Sequence, residues 1–306
     1  MHSQTSLWSA ACPLCSCPPQ ERMLRDLPAF ECSHCGFLWL CDRSPASEYE
    51  ESGVDLSEEK IRKRRRNCRD RVAMISRHIS LDRTCDIGCG EGLFLAALRE
   101  KNFPDPMGIE PNASCVSFGQ NLGLNIRRGT IENCPDIFSQ FPRGVVTLFH
   151  VIEHLVDPFE TMKMLHSSLQ KGAFVVIETP NIRSYSARRW GDQWRLIYRQ
   201  HLSYFSPLTL RLCLEQAGFT IIAAGTTDFD RNYLPWGEIL FRLGLRKVKV
   251  SQTVSHGADR DSQVSAKKRT SAAPGSRFKK GIRFLLSKLI GLLGRRDYIW
   301  TIARVS

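Results

Sequence analysis

The chain has 306 residues, which is enough for one main domain with smaller attached parts. Hydrophobic residues make up 42% of the composition, a fraction typical of a globular protein with a sizeable core. No stretch reaches the about 18 to 20 apolar residues of a membrane-spanning helix, and residues 1–11 lack the basic start and apolar run of a secretory signal. The composition therefore predicts an intracellular, cytoplasmic protein.

Positive charge is concentrated late in the chain. The formal net charge is +12, yet residues 242–296 hold 15 of the 43 Lys and Arg residues and only two of the 31 acidic ones, Asp259 and Asp261. The rest of the chain is close to neutral. Overall basicity is therefore weak evidence that the whole protein binds nucleic acid.

The first predicted element is a small zinc-ribbon module. It contains two C-x-x-C pairs with 16 residues between them, and Gly36 after the second pair permits a tight turn. Four thiolates at such a spacing coordinate tetrahedral Zn²⁺ and leave no open position for catalysis. We therefore predict structural zinc bound by Cys12, Cys15, Cys32 and Cys35.

A predicted helix at 57–79 comes next, and its charged run at 60–66 is expected to face solvent. From residue 83 onward, predicted strands and helices alternate, which indicates βαβ units. We predict an α/β fold with a Rossmann-like, doubly wound, mostly parallel seven-stranded sheet. The predicted strands are 83–87, 106–110, 124–128, 144–149, 173–178, 219–224 and 298–304, and the helices between them are 92–101, 112–122, 158–170 and 207–217.

The strongest chemical signal is the run T-C-D-I-G-C-G-E-G at 84–92, where a predicted strand leads into G-x-G-x-G and then a helix. Glycines let a nucleoside-bearing ligand lie against the backbone at the carboxyl edge of the sheet. Glu110 ends the next strand, 24 residues after Asp86, where a carboxylate can accept both ribose hydroxyls. The turn at 129–132 follows the third strand and is suitably placed to flank an adenine.

Residues 86–92 and Glu110 resemble the first motif and the ribose-binding acid of class I S-adenosylmethionine-dependent methyltransferases. The similarity continues through 149–158, 178–181 and 201–206. These segments are similar to a subgroup related to the ubiquinone-biosynthesis O-methyltransferases, which often carries an N-terminal Cys-rich knuckle. The resemblance covers roughly residues 12 to 224. It implies S-adenosylmethionine as cofactor, bound by Asp86, Gly88, Cys89, Gly90, Gly92, Glu110, Thr130, Ile131 and His150.

The candidate catalytic residues follow the fourth predicted strand. A hydroxyl or amine acceptor often needs a base for its proton, and His is the usual choice near pH 7. The resembling O-methyltransferases carry Glu-His at the position of Glu153 and His154, so we predict His154 as base, with Glu153 and His201 as further catalytic candidates. The alternative is that Glu153 and His154 only brace the loop and that His201 is a packing residue. The lack of an H-E-x-x-H pattern argues against a catalytic metal here.

The C-terminal region combines a basic linker with an amphipathic pattern. Residues 278–294 place apolar side chains on one side of a helical projection and basic ones opposite. This pattern is typical of peripheral contact with an anionic membrane surface, here the inner membrane face; the alternative is a helix packed on the sheet. We expect four parts: a zinc-knuckle module at 1–45, a methyltransferase domain at 46–250, a disordered basic linker at 251–276, and an amphipathic helix with the closing strand at 277–306.

The sequence therefore predicts S-adenosylmethionine-dependent methyl transfer to a small-molecule acceptor, with oxygen as the expected atom, on a sugar-like, quinone-like or lipid-linked precursor. One alternative is an RNA base methyltransferase that grips phosphates with the cysteine module and the basic tail. Little positive charge in that module argues against it, as does the missing Asn/Asp-Pro-Pro-aromatic signature after the fourth strand. The other alternative is a non-catalytic scaffold, against which the intact glycine loop and Glu110 argue.

Overall fold

The computed structural model describes residues 11–44, 57–134, 143–228 and 295–306. The strands are β1 (Pro19–Leu24), β2 (Leu27–Cys32), β3 (Leu38–Leu40), β4 (Thr84–Ile87), β5 (Met107–Glu110), β6 (Asn125–Arg128), β7 (Val145–Phe149), β8 (Phe174–Pro180), β9 (Ser203–Tyr204), β10 (Phe219–Thr227) and β11 (Tyr298–Val305). The α-helices are α1 (Glu58–Ile75), α2 (Leu93–Glu100), α3 (Ala113–Asn121), α4 (Pro158–Ser168), α5 (Tyr185–Trp190) and α6 (Pro207–Gln216), and 3₁₀ turns cover Ile152–His154 and Gly191–Gln193.

Seven strands form the main sheet, in the order β10-β11-β8-β7-β4-β5-β6. Neighbours from β8 to β6 are parallel, whereas β11 is antiparallel to both β8 and β10. The predicted Rossmann-like, mostly parallel sheet is thereby confirmed. The strand predicted at 219–224 extends to Thr227, because pairing with β11 continues to Tyr298.

The strand order reverses at β4, which pairs with β5 on one side and with β7 on the other. At such a reversal a crevice opens outside the carboxyl ends of the strands, where α/β proteins bind their ligands. The segments that follow β4, β5 and β7 meet there. These are the three segments in which the sequence predicts most of the cofactor-binding and catalytic residues.

The main sheet is buried on both faces. Along β8, Val175 packs with Phe159 of α4 and Leu210 of α6 on one face, whereas Val176 packs with Phe94 of α2 on the other. A strand covered on both faces needs a continuous apolar run rather than alternation, and β8 has one.

A second, four-stranded antiparallel sheet has the order β1-β2-β3-β9. Its first three strands lie in the predicted zinc module, but the fourth comes from residues 203–204, so the sheet joins the module to the main domain. Phe37 strengthens this junction through ring contacts with Phe159 and Phe205, each at 5.4 Å between centroids. Phe37 and Trp39 are fully buried, and burying a side chain of this size contributes about 1.5–3 kcal/mol.

The predicted linker at 251–276 and the amphipathic segment at 278–294 lie outside the described residues, as does the domain boundary expected at residue 250. In the part of the chain that the structure describes, no helix is long and apolar enough to cross a membrane.

Candidate functional site

The glycine loop between β4 and α2 has the backbone that its sequence predicts. Gly88, Gly90 and Gly92 have φ angles of 66°, 53° and 73°, a left-handed region in which only glycine is unstrained. A Cβ on Gly88 would lie 2.5 Å from Val151 Cγ2, whereas a Cβ on Gly90 would meet nothing within 4 Å. Gly88 is therefore required by packing, and the backbone at Gly90 faces open space.

A cavity of about 260 Å³ lies beside this loop. Five residues predicted to bind cofactor line it: Asp86, Gly88, Cys89, Gly90 and His150. The remaining lining residues are Arg64, Asn67, Cys68 and Arg71 from α1, with Glu91, Leu93, Phe94 and Phe149 from the loop, α2 and β7.

Asp86 is a buried carboxylate in the lining of the cavity. Its carboxylate is buried and accepts a hydrogen bond from Thr147 Oγ1 at 2.5 Å. Burial raises the pKa of Asp86 to about 7, although the Thr147 bond and the charge of Arg71 act in the opposite direction. A pKa near 7 means that the Asp86 carboxyl changes its protonation state around neutral pH.

Glu110 supports the loop from behind. Its Oε2 accepts from the Gly90 N–H at 2.8 Å, its Oε1 accepts from the Asn112 N–H at 2.8 Å, and the side chain is fully buried. It is not part of the cavity wall, nor are Gly92, Thr130 and Ile131. A carboxylate has further lone pairs for ribose hydroxyls, so the predicted role of Glu110 requires its side chain to become accessible when cofactor binds.

Helix α1 supplies the part of the cavity wall that the sequence argument missed. Arg64, expected to face solvent, instead forms an ion pair with Glu91 of the glycine loop. Asn67 and Arg71 also line the cavity. Arg64, Asn67 and Arg71 recur at intervals of three and four residues, which place side chains on one face of a helix. That spacing was the sequence signal that could have indicated a shared face of α1 toward the cavity.

His150 lies between two buried carboxylates. Its Nε2 is 3.0 Å from Glu178 Oε1 and its Nδ1 is 3.5 Å from Glu153 Oε1, while Arg71 Nη2 donates to the same Glu178 oxygen at 2.5 Å. Burial alone would lower the pKa of His150, but the hydrogen bonds to Glu153 and Glu178 raise it to about 9. The two carboxylates therefore favour the protonated form of His150, while Arg71 Nη2 lies 3.2 Å from its Nε2. Its φ of 59° is an unusual conformation for a residue with a side chain.

The three catalytic candidates Glu153, His154 and His201 lie close together, with one possible ligand atom from each within 4.8 Å of the others. Such donors also suit a divalent metal, a possibility that the missing H-E-x-x-H pattern had argued against. Glu153 is buried and accepts from Thr179 Oγ1 at 2.9 Å. Burial would raise the pKa of Glu153, but the bond from His150 and the neighbouring histidines lower it to about 2.

The two remaining histidines differ in what their second ring nitrogen can do. His201 is buried, donates from Nδ1 to Leu196 O at 2.8 Å, and accepts at Nε2 from the Tyr198 hydroxyl at 2.5 Å. Burial lowers the pKa of His201 to about 4. His154 is exposed and donates from Nδ1 to Gln200 O at 2.8 Å, so its Nε2 lone pair is directed away from that bond and can accept a proton.

The four predicted zinc ligands form one cluster. Cys12 Sγ lies 3.5 Å from Cys35 Sγ, and Cys15 Sγ lies 3.4 Å from Cys32 Sγ; all four sulfurs are within 4.8 Å of one another. Tetrahedral zinc with Zn–S bonds of about 2.3 Å needs sulfurs roughly 3.8 Å apart. The cluster therefore has the donor set and the size that structural zinc requires.

A family model described as a methyltransferase domain matches residues 61–224. A search of the curated proteins finds no match. Similar solved structures include an S-adenosylmethionine-dependent methyltransferase from Archaeoglobus fulgidus (22% identity, 81% of this chain and 97% of that one, TM-score 0.49). Another is an S-adenosylmethionine-dependent methyltransferase from Mesorhizobium loti (13% identity, 82% of this chain and 100% of that one, TM-score 0.42). A third is a geranyl diphosphate methyltransferase in complex with S-adenosylmethionine (14% identity, 85% of this chain and 95% of that one, TM-score 0.46).

Proposed function

The chain belongs to the methyltransferase-domain family, as a class I S-adenosylmethionine-dependent enzyme, and from that premise we propose that it methylates an oxygen of a small-molecule acceptor with His154 as base. The observation that carries the proposal is the exposure of His154 together with the hydrogen bond that its Nδ1 donates. Among the three histidines of the site, it alone combines exposure with an Nδ1–H fixed by a carbonyl and an Nε2 lone pair available to a hydroxyl.

The residues around the cavity fit S-adenosylmethionine. The open backbone at Gly90 leaves room for a ligand, and the cavity beside it is bordered by Arg64 and Arg71, which are paired with Glu91 and Glu178. When bound, the cofactor supplies an electrophilic methyl group on a sulfonium. The protein positions the two reactants, which accounts for much of the rate enhancement in a displacement of this kind.

His154 completes the chemistry by taking the proton of the acceptor hydroxyl at Nε2. The carbonyl of Gln200 fixes the tautomer that makes this possible. The Glu153 carboxylate, ionised at neutral pH, stabilises the positive charge that develops on the imidazole. General-base catalysis of this kind contributes about 10²- to 10⁴-fold in rate.

The charge of the cysteine module supports a small molecule over RNA. Residues 11–44 contain three basic residues, and each has a partner within the fold. Arg22 pairs with Glu31 and Asp192, Arg25 donates to backbone carbonyls, and Arg43 is buried. Within residues 11–44, therefore, no Lys or Arg side chain is both exposed and without a partner, which argues against phosphate binding by this part of the module.

The amphipathic pattern of residues 278–294 supports a lipid-linked precursor as one acceptor class and peripheral membrane binding as the location. Sedimentation of the full chain with phosphatidylglycerol vesicles, beside neutral phosphatidylcholine vesicles, tests the location. Binding to the anionic vesicles alone supports it, and equal or absent binding to both rejects it.

The acceptor is tested with methyl-labelled cofactor and a panel of catechol, hydroquinone, a hexose and total RNA. We expect label on an oxygen of a small molecule, located by the NMR shift of the new methyl group, and a large loss of label with His154→Ala. Label in RNA, or transfer that does not depend on His154, would contradict the proposal.

A further inference from the structure

Arg43 lies at the end of the cysteine module and is only 4% exposed. Its guanidinium donates to two separate backbone segments. Nε and Nη2 reach Val156 O at 2.8 and 2.5 Å, and Nη2 also reaches Leu155 O at 3.1 Å. Nη1 reaches Leu202 O at 3.0 Å, and Nη2 reaches Ser203 Oγ at 3.3 Å. Nearly all of the donor capacity of the side chain is thus spent on fixing backbone.

The two segments that Arg43 joins are those that carry His154 and His201. Residues 155–156 directly follow His154, and residues 202–203 directly follow His201. The bond from His154 Nδ1 to Gln200 O crosses between the same two segments. The distance from Nδ1 to that carbonyl therefore depends on how the segments are held together.

Other contacts tie this junction to the cysteine module. The Leu202 N–H donates to Glu153 O at 2.8 Å, and the Leu40 N–H donates to Leu202 O at 3.0 Å. Burial lowers the pKa of Arg43 to about 10, against the opposing charge of Asp157. A buried guanidinium is costly unless its hydrogen bonds are made, so Arg43 favours the arrangement in which both segments are in place.

We propose that Arg43 is a positioning residue that holds the segment after His154 against the segment after His201, and so fixes His154 in the tautomer with Nδ1 protonated. This rests on the proposed role of His154 as base. It also gives the cysteine module a function in the reaction: the module carries the arginine that orients the base.

Arg25 provides a matched control. It also donates from the four-stranded sheet to backbone carbonyls of the main domain, at Asp192, Gln193 and Trp194 over 2.9 to 3.2 Å. Those carbonyls belong to a segment without a catalytic candidate. Arg25→Met therefore removes a second arginine link between the cysteine module and the main domain, from a more exposed position, and we expect the backbone around His154 to stay unchanged.

The test is ¹⁵N NMR of the imidazole nitrogens in histidine-labelled, zinc-loaded full chain, with the His154 signals assigned by loss in His154→Gln. We expect the wild type and Arg25→Met to show His154 with Nδ1 protonated, whereas Arg43→Met shows averaged signals from both tautomers. Arg43→Lys keeps three donors but not the planar fork, so its His154 signals should be intermediate between those of the wild type and Arg43→Met. It replaces Arg43→Met in the test if that variant does not fold. Affinity for S-adenosylhomocysteine should stay within about twofold in all of them.

An unchanged His154 signal in the Arg43 variants overturns the positioning role, as does an equal change in Arg25→Met. Failure of the proposed function is seen separately, because His154→Ala would then keep its methyl transfer in the acceptor panel, whatever the tautomer.

Discussion

The two halves of the site are built in different ways. The proposed cofactor half is centred on one continuous run, residues 84–92, whose glycines set the backbone and whose Gly90 amide donates to Glu110; α1 and residues 149–150 complete its wall. The acceptor half draws on segments far apart in sequence: Arg43, the 3₁₀ turn at Ile152–His154 and the residues around His201. The first half depends on local conformation and the second on long-range hydrogen bonds. The two should therefore respond differently to substitution.

The largest expected effect is loss of the metal from the cysteine cluster. Cys32→Ser removes one thiolate, and we expect loss of one equivalent of zinc by elemental analysis with a fall in Tm of about 10 °C, or about 3–5 kcal/mol for a chain of this size. Acceptor methylation should fall more than affinity for S-adenosylhomocysteine. Cys41→Ser, at a cysteine outside the cluster, is the control, and equal zinc content in both variants would refute the site.

Next is the base. His154→Ala should lower turnover at least about 100-fold, equivalent to about 2.7 kcal/mol, because the Nε2 atoms of the neighbouring His150 and His201 are engaged by Glu178 and Tyr198. His78→Ala, at an exposed histidine after α1, should be without effect. Initial rates with catechol or the best acceptor of the panel decide this, and similar rates for the two variants would remove His154 from the mechanism.

A smaller effect is expected at Glu110, in the cofactor half. In Glu110→Gln the amide keeps one acceptor but turns an NH₂ toward the other backbone N–H. We expect about tenfold weaker binding of S-adenosylhomocysteine, or about 1.4 kcal/mol, measured by calorimetry. Glu160→Gln, at an exposed carboxylate of α4, should bind as the wild type does. Unaltered affinity in Glu110→Gln would show that the carboxylate does not support the loop.

The smallest effect is the pH dependence of stability at His150. Its pKa is raised in the folded protein to about 9 from 6.5, so its stabilising contribution is complete below pH 6.5 and is lost as the pH rises through 9. A third of the side chain faces solvent, so we expect only roughly 1 kcal/mol. Urea unfolding of the wild type and His150→Gln at pH 6 and 9.5 measures it. A gap between them that does not narrow with rising pH would contradict the assignment.

The same contrast explains what the sequence could predict. The glycine loop, the main strands and the closing strand were predictable, because backbone freedom and apolar runs are local signals. The spacing of the four cysteines was readable for the same reason. The face of α1 toward the cavity was not, since the pair between Arg64 and Glu91 joins residues 27 positions apart.

For the acceptor half, the sequence predicted which residues take part but not the contacts that position them. Nothing local marks Ser203 and Tyr204 as the fourth strand of the small sheet, because two residues carry no periodicity. The difference between His154 and His201 follows from the Tyr198 hydroxyl and from two backbone carbonyls, which no residue pattern encodes.

The most direct test is calorimetry of the zinc-loaded full chain with S-adenosylhomocysteine, run beside His154→Ala. We predict one site per chain with micromolar affinity, unchanged within about twofold in the variant, because the cofactor half does not depend on His154. Absence of binding by the wild type would contradict the assignment of the cavity to the cofactor, and binding lost in His154→Ala would contradict the separation of the two halves.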